Sequence, residues 1–400
     1  MAGTVNEEFF DALVRHQIYL LRLSQSIRKD IEKLLDATER DLREEITRRL
    51  ARSTDGLTPA NLKRLQVLER VIKETRYKAW DQIDALWVQH MRDIATEEPK
   101  TLAGILQTVL PVTIETVLPA APLLKALVET YPFEGRVLKD WANGVRQADL
   151  NRIMSQVRIG MVQGETSQQI ARRVVGTVQT RGANGVTEIT RRDAAAITRT
   201  AVNAFSNAAK QQFYQANSAF FEMELYVATL DSRTTAVCRA NDGKQFPIGE
   251  GPIPPLHYQC RSLRVAVING QVIGDRPMKA ATEQMMLRRY AQEAGIKTPR
   301  SRADLPFGHK GSFDSFARGQ VRSLTGQVPA ATSYQTWLER QSAEFVNDVL
   351  GPTRAALFRQ GKLPLDKFVN RAGDELNLRQ LAQQHRDAFV AAGLNPEDFL

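Results

Sequence analysis

The chain has 400 residues, 42% of them hydrophobic and 25% charged, with a net charge of +9 and a pI near 9.6. This length accommodates two or three domains, each with enough core to need no covalent staple, and two cysteines exclude a disulfide-dense scaffold. The basic balance favours a polyanionic partner, nucleic acid first, alongside an ordinary solvated surface.

The opening MAGTVNEEFF has no basic stretch followed by an apolar core, so synthesis in a reducing cytoplasm without export is expected. Residues 9–50 contain neither Gly nor Pro, and Leu23, Ile27, Ile31, Leu34, Leu35, Leu42, Ile46 and Leu50 recur at steps of three and four. This is one face of a helix about 60 Å long at 1.5 Å per residue, suited to coiled-coil-like pairing. Asp55-Gly56 predicts a turn, and Thr58-Pro59 an N-cap followed by Pro at the first helical position. A second helix is expected to run to about Glu97 and end at Pro99, closing an antiparallel hairpin with the first.

Residues 102–128 are the most apolar stretch, but Pro111, Pro119, Pro122, Glu115 and Lys125 interrupt it. It predicts a packed helical pair, and no run long enough for a stable membrane span is present. Helix is expected to continue to about residue 215, with Thr166 or Ser167 capping a new segment after Gly164. Residues 197–217 form an Ala-rich helix with Val202, Phe205, Ala209 and Phe213 on one side. Residues 219–230 and 263–268 alternate and are rich in β-formers, and they read as strands. Residues 269–330 read as a basic, loop-rich stretch, with the polar segment 309–319 mobile or wrapped on a partner. From Ser333 short helices return, with a turn at Gly351-Pro352.

The fold class is therefore α+β, mostly helical. The expected organisation is a long helical hairpin (1–98), a helical domain leading into the motif (99–218) and a small β-rich Cys/His region (219–268). A basic loop-rich linker (269–332) and a C-terminal helical segment (333–400) complete it.

Between the two strands, residues 231–264 hold both cysteines and one of the five histidines. Cys238, His257 and Cys260 are the preferred ligand types of zinc and could fill three corners of a tetrahedron, with Asp231, Asp242 or water as the fourth. The paired CxxC knuckles of a zinc ribbon are missing, so two small buried thiols with a backbone-bonded histidine remain an open alternative, as does a Cys238–Cys260 disulfide outside a reducing compartment. Asp231 at a strand end suits backbone capping, and Arg233 can pair with a carboxylate bidentately. Asp242-Gly243 signals a tight turn, and Pro254-Pro255 stiffens the approach to His257. The motif reads as a rigid, locally crosslinked loop. No phosphate loop, GxSxG or GxGxxG follows a strand, and a His–Cys nucleophile lacks an oxyanion hole, so the chain is not expected to be an enzyme.

The pattern resembles the phage Mu F-like head morphogenesis family, also called minor head or minor capsid proteins. The residues carrying the resemblance are Arg199-Thr200 on the Ala-rich helix, Asp231, Arg233, Thr234, Cys238, Asp242-Gly243, Pro254-Pro255, His257 and Cys260-Arg261, over roughly residues 150–268. The C-terminal segment from Ser333 is similar to the tail of such proteins. Members often read H-P-x-C-R-C, whereas Ser262 stands here in place of a further sulfur ligand. The resemblance implies a virion component, made in the host cytoplasm and placed in the head near the portal vertex. Its partners would be portal and capsid proteins and packaged double-stranded DNA, and it would act in capsid assembly, DNA packaging or ejection; the long helices could also pair between chains, as self-association. The competing readings are a metal-dependent or toxin-like enzyme using Cys238, His257 and Cys260, and a DNA-binding protein outside any virion.

Overall fold

In the computed structural model, residues 5–51, 58–110, 114–177, 179–180, 182–268 and 275–400 are described. The expected Asp55-Gly56 turn lies outside them. Two long helices open the chain, α1 (Val5–Leu50) and α2 (Pro59–Val109). The hydroxyl of Thr58 accepts from the Asn61 N–H and caps α2, with Pro59 in its first turn. The helices are antiparallel. Leu42, Ile46 and Leu50 meet Leu65, Leu68 and Ile72 at one end, and Phe9, Phe10 and Leu13 meet Leu102 and Leu106 at the other.

α2 does not stop at Pro99, which sits inside the helix and is buried. A proline costs one backbone hydrogen bond and crowds the preceding turn. The next two turns offset that cost, because Leu102 and Leu106 are fully buried and continue the seam with α1. Glu98, beside the proline, is held by His16 at 2.9 Å and Lys210 at 3.2 Å.

Four further helices build on the hairpin: α3 (Ala121–Thr130), α4 (Leu138–Val162), α5 (Ser167–Val175) and α6 (Thr187–Ala216). Thr166 caps α5 in a reciprocal capping box with Gln169. α6 is the central rod. Ile197, Ala201, Val202 and Phe205 pack with Ile27, Ile31, Trp80, Trp87 and Met91, while Phe213 packs with Phe9 and Leu102.

The strand expected over 219–230 forms as β1 (Met223–Val227) and the short β2 (Leu230–Asp231), and that over 263–268 forms as β4 (Leu263–Val267). Between them lie α7 (Ala236–Asn241) and β3 (Gln245–Pro247). β1 is central in an antiparallel sheet of order β3-β1-β4, with Tyr226 opposite Arg264. β4 is buried at every position, because α6 and the start of α1 cover the sheet.

Residues 275–329 are not loop-rich. They contain β5 (Asp275–Lys279), α8 (Glu283–Ala294), α9 (His309–Ser323) and β6 (Thr325–Pro329). The segment expected to be mobile is α9, because Phe313 is buried against Tyr290 of α8 despite Gly311 and Gly319. β5 pairs parallel with β2 and antiparallel with β6, so this region is sheet partner to the motif. The short helices α10 (Tyr334–Glu339), α11 (Ala343–Leu350), α12 (Pro352–Arg359), α13 (Leu378–Gln384) and α14 (Arg386–Ala391) complete the chain. They share one core with Leu230, Met285, Met286 and Leu287. No helix among the described residues is long and apolar enough to cross a membrane.

Candidate metal centre

Cys238 lies on α7, and His257 and Cys260 lie on the loop that enters β4. The loop turns through a cis Pro254-Pro255 bond, and Gln259 takes a positive φ of 58°. Both cysteines are buried and unbridged. Cys238 Sγ lies 3.7 Å from Cys260 Sγ and 3.2 Å from His257 Nε2. Two thiolates on a tetrahedral zinc at about 2.3 Å would stand about 3.8 Å apart, and a thiolate and an imidazole nitrogen about 3.5 Å. These two separations match a metal's demands within a few tenths of an ångström, and all three donor atoms lie within 4.8 Å of one another. Among the described residues they are the one group of His, Cys and carboxylate ligands so gathered. The other ring nitrogen, Nδ1 of His257, bonds to the Tyr258 carbonyl at 2.8 Å, which leaves Nε2 to face the sulfurs.

The carboxylates expected as a fourth ligand are committed elsewhere. Arg261 grips Asp231 with two bonds, 2.6 and 2.8 Å long. Asp242 accepts two bonds from Arg276, at 2.9 and 2.8 Å, and one each from the backbone N–H of Ala228 and Tyr334. Instead, the Tyr226 hydroxyl lies 3.2 Å from Cys238 Sγ, and the Ser262 side chain also bonds this sulfur. The Cys260 thiol holds Cys238 below the usual thiol range against the effect of burial, helped by His257, Ser262 and Tyr226. Cys260 is pushed up by donating to Cys238, by burial and by the charge beside it. Burial would lower the His257 pKa, but its bond to Cys238 and that sulfur's charge raise it.

The remaining motif residues build the frame. The Asp231 carboxylate also accepts from the Arg233 N–H at 3.0 Å and the Thr234 hydroxyl at 3.3 Å. The bidentate partner expected in Arg233 is thus Arg261, thirty residues on, while the Arg233 side chain is 74% exposed and 3.5 Å from Asp231. Gly243 has φ +80°, and an added Cβ would press on Ser333 at 3.1 Å, so the turn after α7 requires glycine twice over. Thr200 accepts from the Gln259 N–H at 2.9 Å, and Arg199 donates to the Gln259 side chain at 3.0 Å.

Several residues at the site carry no motif signal. Asn203 donates to the carbonyls of Cys260 and Ser262 at 3.1 and 3.3 Å and is itself held by Gln17. A polar residue in the buried stripe of α6, three after Thr200, was the available hint. Arg264, fully buried, spans Glu224 at 2.9 Å and the carbonyls of Glu250 and Pro252. Arg276 and Tyr334 come from beyond the motif, and nothing local in the sequence connects them to Asp242.

Two buried thiols, one imidazole and arginine-bound aspartates are thus gathered on one helix-braced loop. The family model described as Phage Mu protein F like protein matches residues 151–265 of the chain. The match runs from α4 to β4 and includes every residue of the Cys/His cluster. No curated protein and no solved structure matches the chain.

Proposed function

We propose that this is a phage head morphogenesis protein of the minor head type, located in the virion near the portal vertex. The carrying observation is the coincidence of the family match over 151–265 with a folded, buried Cys/His module in the same residues. In this reading the module is structural. Zinc bound by Cys238, His257 and Cys260 would tie α7 to the loop entering β4 and supply a crosslink, with no chemical step to perform. The non-enzymatic role is consistent with aspartates that are saturated by arginines and so cannot act as a base. The long hairpin would dock on portal or capsid helices, and the basic charge of +9 would suit packaged DNA.

Co-expression with a phage portal protein, followed by electron microscopy of the purified complex, tests the reading. Stoichiometric density on the portal ring is the expected result. A protein that stays free of both portal and capsid while turning over a substrate sensitive to Cys238→Ser would replace it with an enzyme.

A further inference from the structure

The motif carries its arginines in three separate pieces, and only Arg261 closes a bidentate pair with a carboxylate. In space they are linked through Gln259, two residues before Arg261, which binds Arg199, and through Asp231, which Arg233 and Arg261 share. Arg199 projects from α6, half-buried, and its guanidinium bonds to the neutral Gln259 side chain at 3.0 Å. No carboxylate among the described residues is paired with it. Burial depresses its pKa, and the like charges of Arg233, Arg261 and Arg28 of α1 act in the same direction. Arg233 and Arg261 share one anchor, Oδ2 of Asp231, at 3.5 and 2.6 Å. Arg28 is paired with Glu32 at 3.3 Å.

Four guanidiniums thus face the carboxylates of Asp231 and Glu32 and the charge of the Cys238 sulfur that also acts on Arg261, and their positive charge is only partly offset. Half-burying Arg199 beside like charges opposes folding unless something else is gained. The Arg261 fork is already closed on Asp231, whereas Arg233 is largely open to solvent and Arg199 keeps free N–H groups. Two forks with a supporting field offer more donors than the two oxygens of a carboxylate can take. A tetrahedral oxyanion uses them better.

We propose that Arg199 and Arg233, supported by Arg261 and Arg28, bind a phosphate group. The site stands on these residues whether or not the chain docks at a portal. The same chemistry is offered by a polynucleotide backbone and by free phosphate or pyrophosphate.

The test uses the full chain with two probes, inorganic pyrophosphate by calorimetry and a short fluorescent DNA duplex by anisotropy across a salt series. Arg199→Gln and Arg233→Gln are each expected to weaken binding about 5- to 10-fold, with the duplex salt slope falling by about one per arginine. Arg70→Gln, which removes an exposed charge on α2, should change affinity by less than about twofold. Loss on both probes assigns free phosphate chemistry as well, and loss on the duplex alone assigns the polynucleotide backbone. Melting curves matching wild type confirm that the variants fold, since Arg233 is exposed. The proposal is overturned if neither probe binds, or if both variants bind as tightly as wild type.

Discussion

Asp242 and Arg276 face each other with both side chains almost wholly excluded from solvent, joined by two hydrogen bonds of 2.9 and 2.8 Å. The first lies inside the family-matched segment and the second beyond it. Removing one partner strands a buried charge, so Arg276→Met should cost about 3–5 kcal/mol in chemical denaturation. The double change Asp242→Leu with Arg276→Met should cost much less than the sum of the single changes. Additive losses would show that the two residues act independently.

The Cys/His cluster makes a statement about composition. Protein purified without chelator should carry a single zinc per chain by mass spectrometry of the intact fold, and Cys238→Ser or His257→Ala should lose it. Chelation should lower the melting temperature of wild type and leave both variants unmoved. A metal-free wild type that melts at the same temperature with and without added zinc would end the crosslink account.

Asp84 provides the pH dependence. Burial pushes its carboxyl up to about 6 against the opposing charge of Arg146, with Asp81 adding to the rise. Its Oδ1 has no hydrogen-bond partner, and Arg146 is 4.0 Å from the other oxygen while lying 2.8 Å from Asp81. The folded pKa exceeds the unfolded one, so this group's contribution to stability declines as pH rises from about 4 to about 6. Asp84→Asn should therefore stabilise the protein at pH 7 by about 1–2 kcal/mol, allowing for partial solvent screening. At a pH near 4 it should have no effect. Equal stabilisation at both pH values would point to packing instead.

Deleting residues 1–95 should abolish cooperative unfolding of what remains. Without α1 and most of α2, the apolar face of α6, including Ile197, Ala201 and Phe205, would lie open, and Phe213 and the β4 sheet would lose Phe9 and Phe10. A soluble remainder with a sharp melting transition would show that the motif region folds alone.

The parts of the fold that the sequence revealed are those set by local chemistry. Thr58-Pro59 and Thr166 mark helix starts because a hydroxyl and the next N–H groups are neighbours in the chain. β4 was visible through its apolar composition, and Cys238, His257 and Cys260 through their ligand types. The misread elements depend on distant partners. Pro99 stays helical because α1 covers the residues after it, and α9 is helical because Tyr290 receives Phe313. Asp231 takes its bidentate bonds from Arg261 and not from Arg233 two residues on, and Asp242 takes its own from Arg276, a residue in the stretch expected to be a linker. Residue types at a site can be read locally, but the partners that saturate a carboxylate cannot.

The reach of Asp242 also orders events in time. Its carboxylate accepts from the Tyr334 N–H, 92 positions later, and from Arg276, 34 positions later. A chain leaving the ribosome therefore exposes the Cys/His loop well before the residues that fix the preceding turn have been made. During that interval the turn at Asp242 lacks both its arginine clamp and the Tyr334 N–H. Final closure waits for the segment that begins at α10.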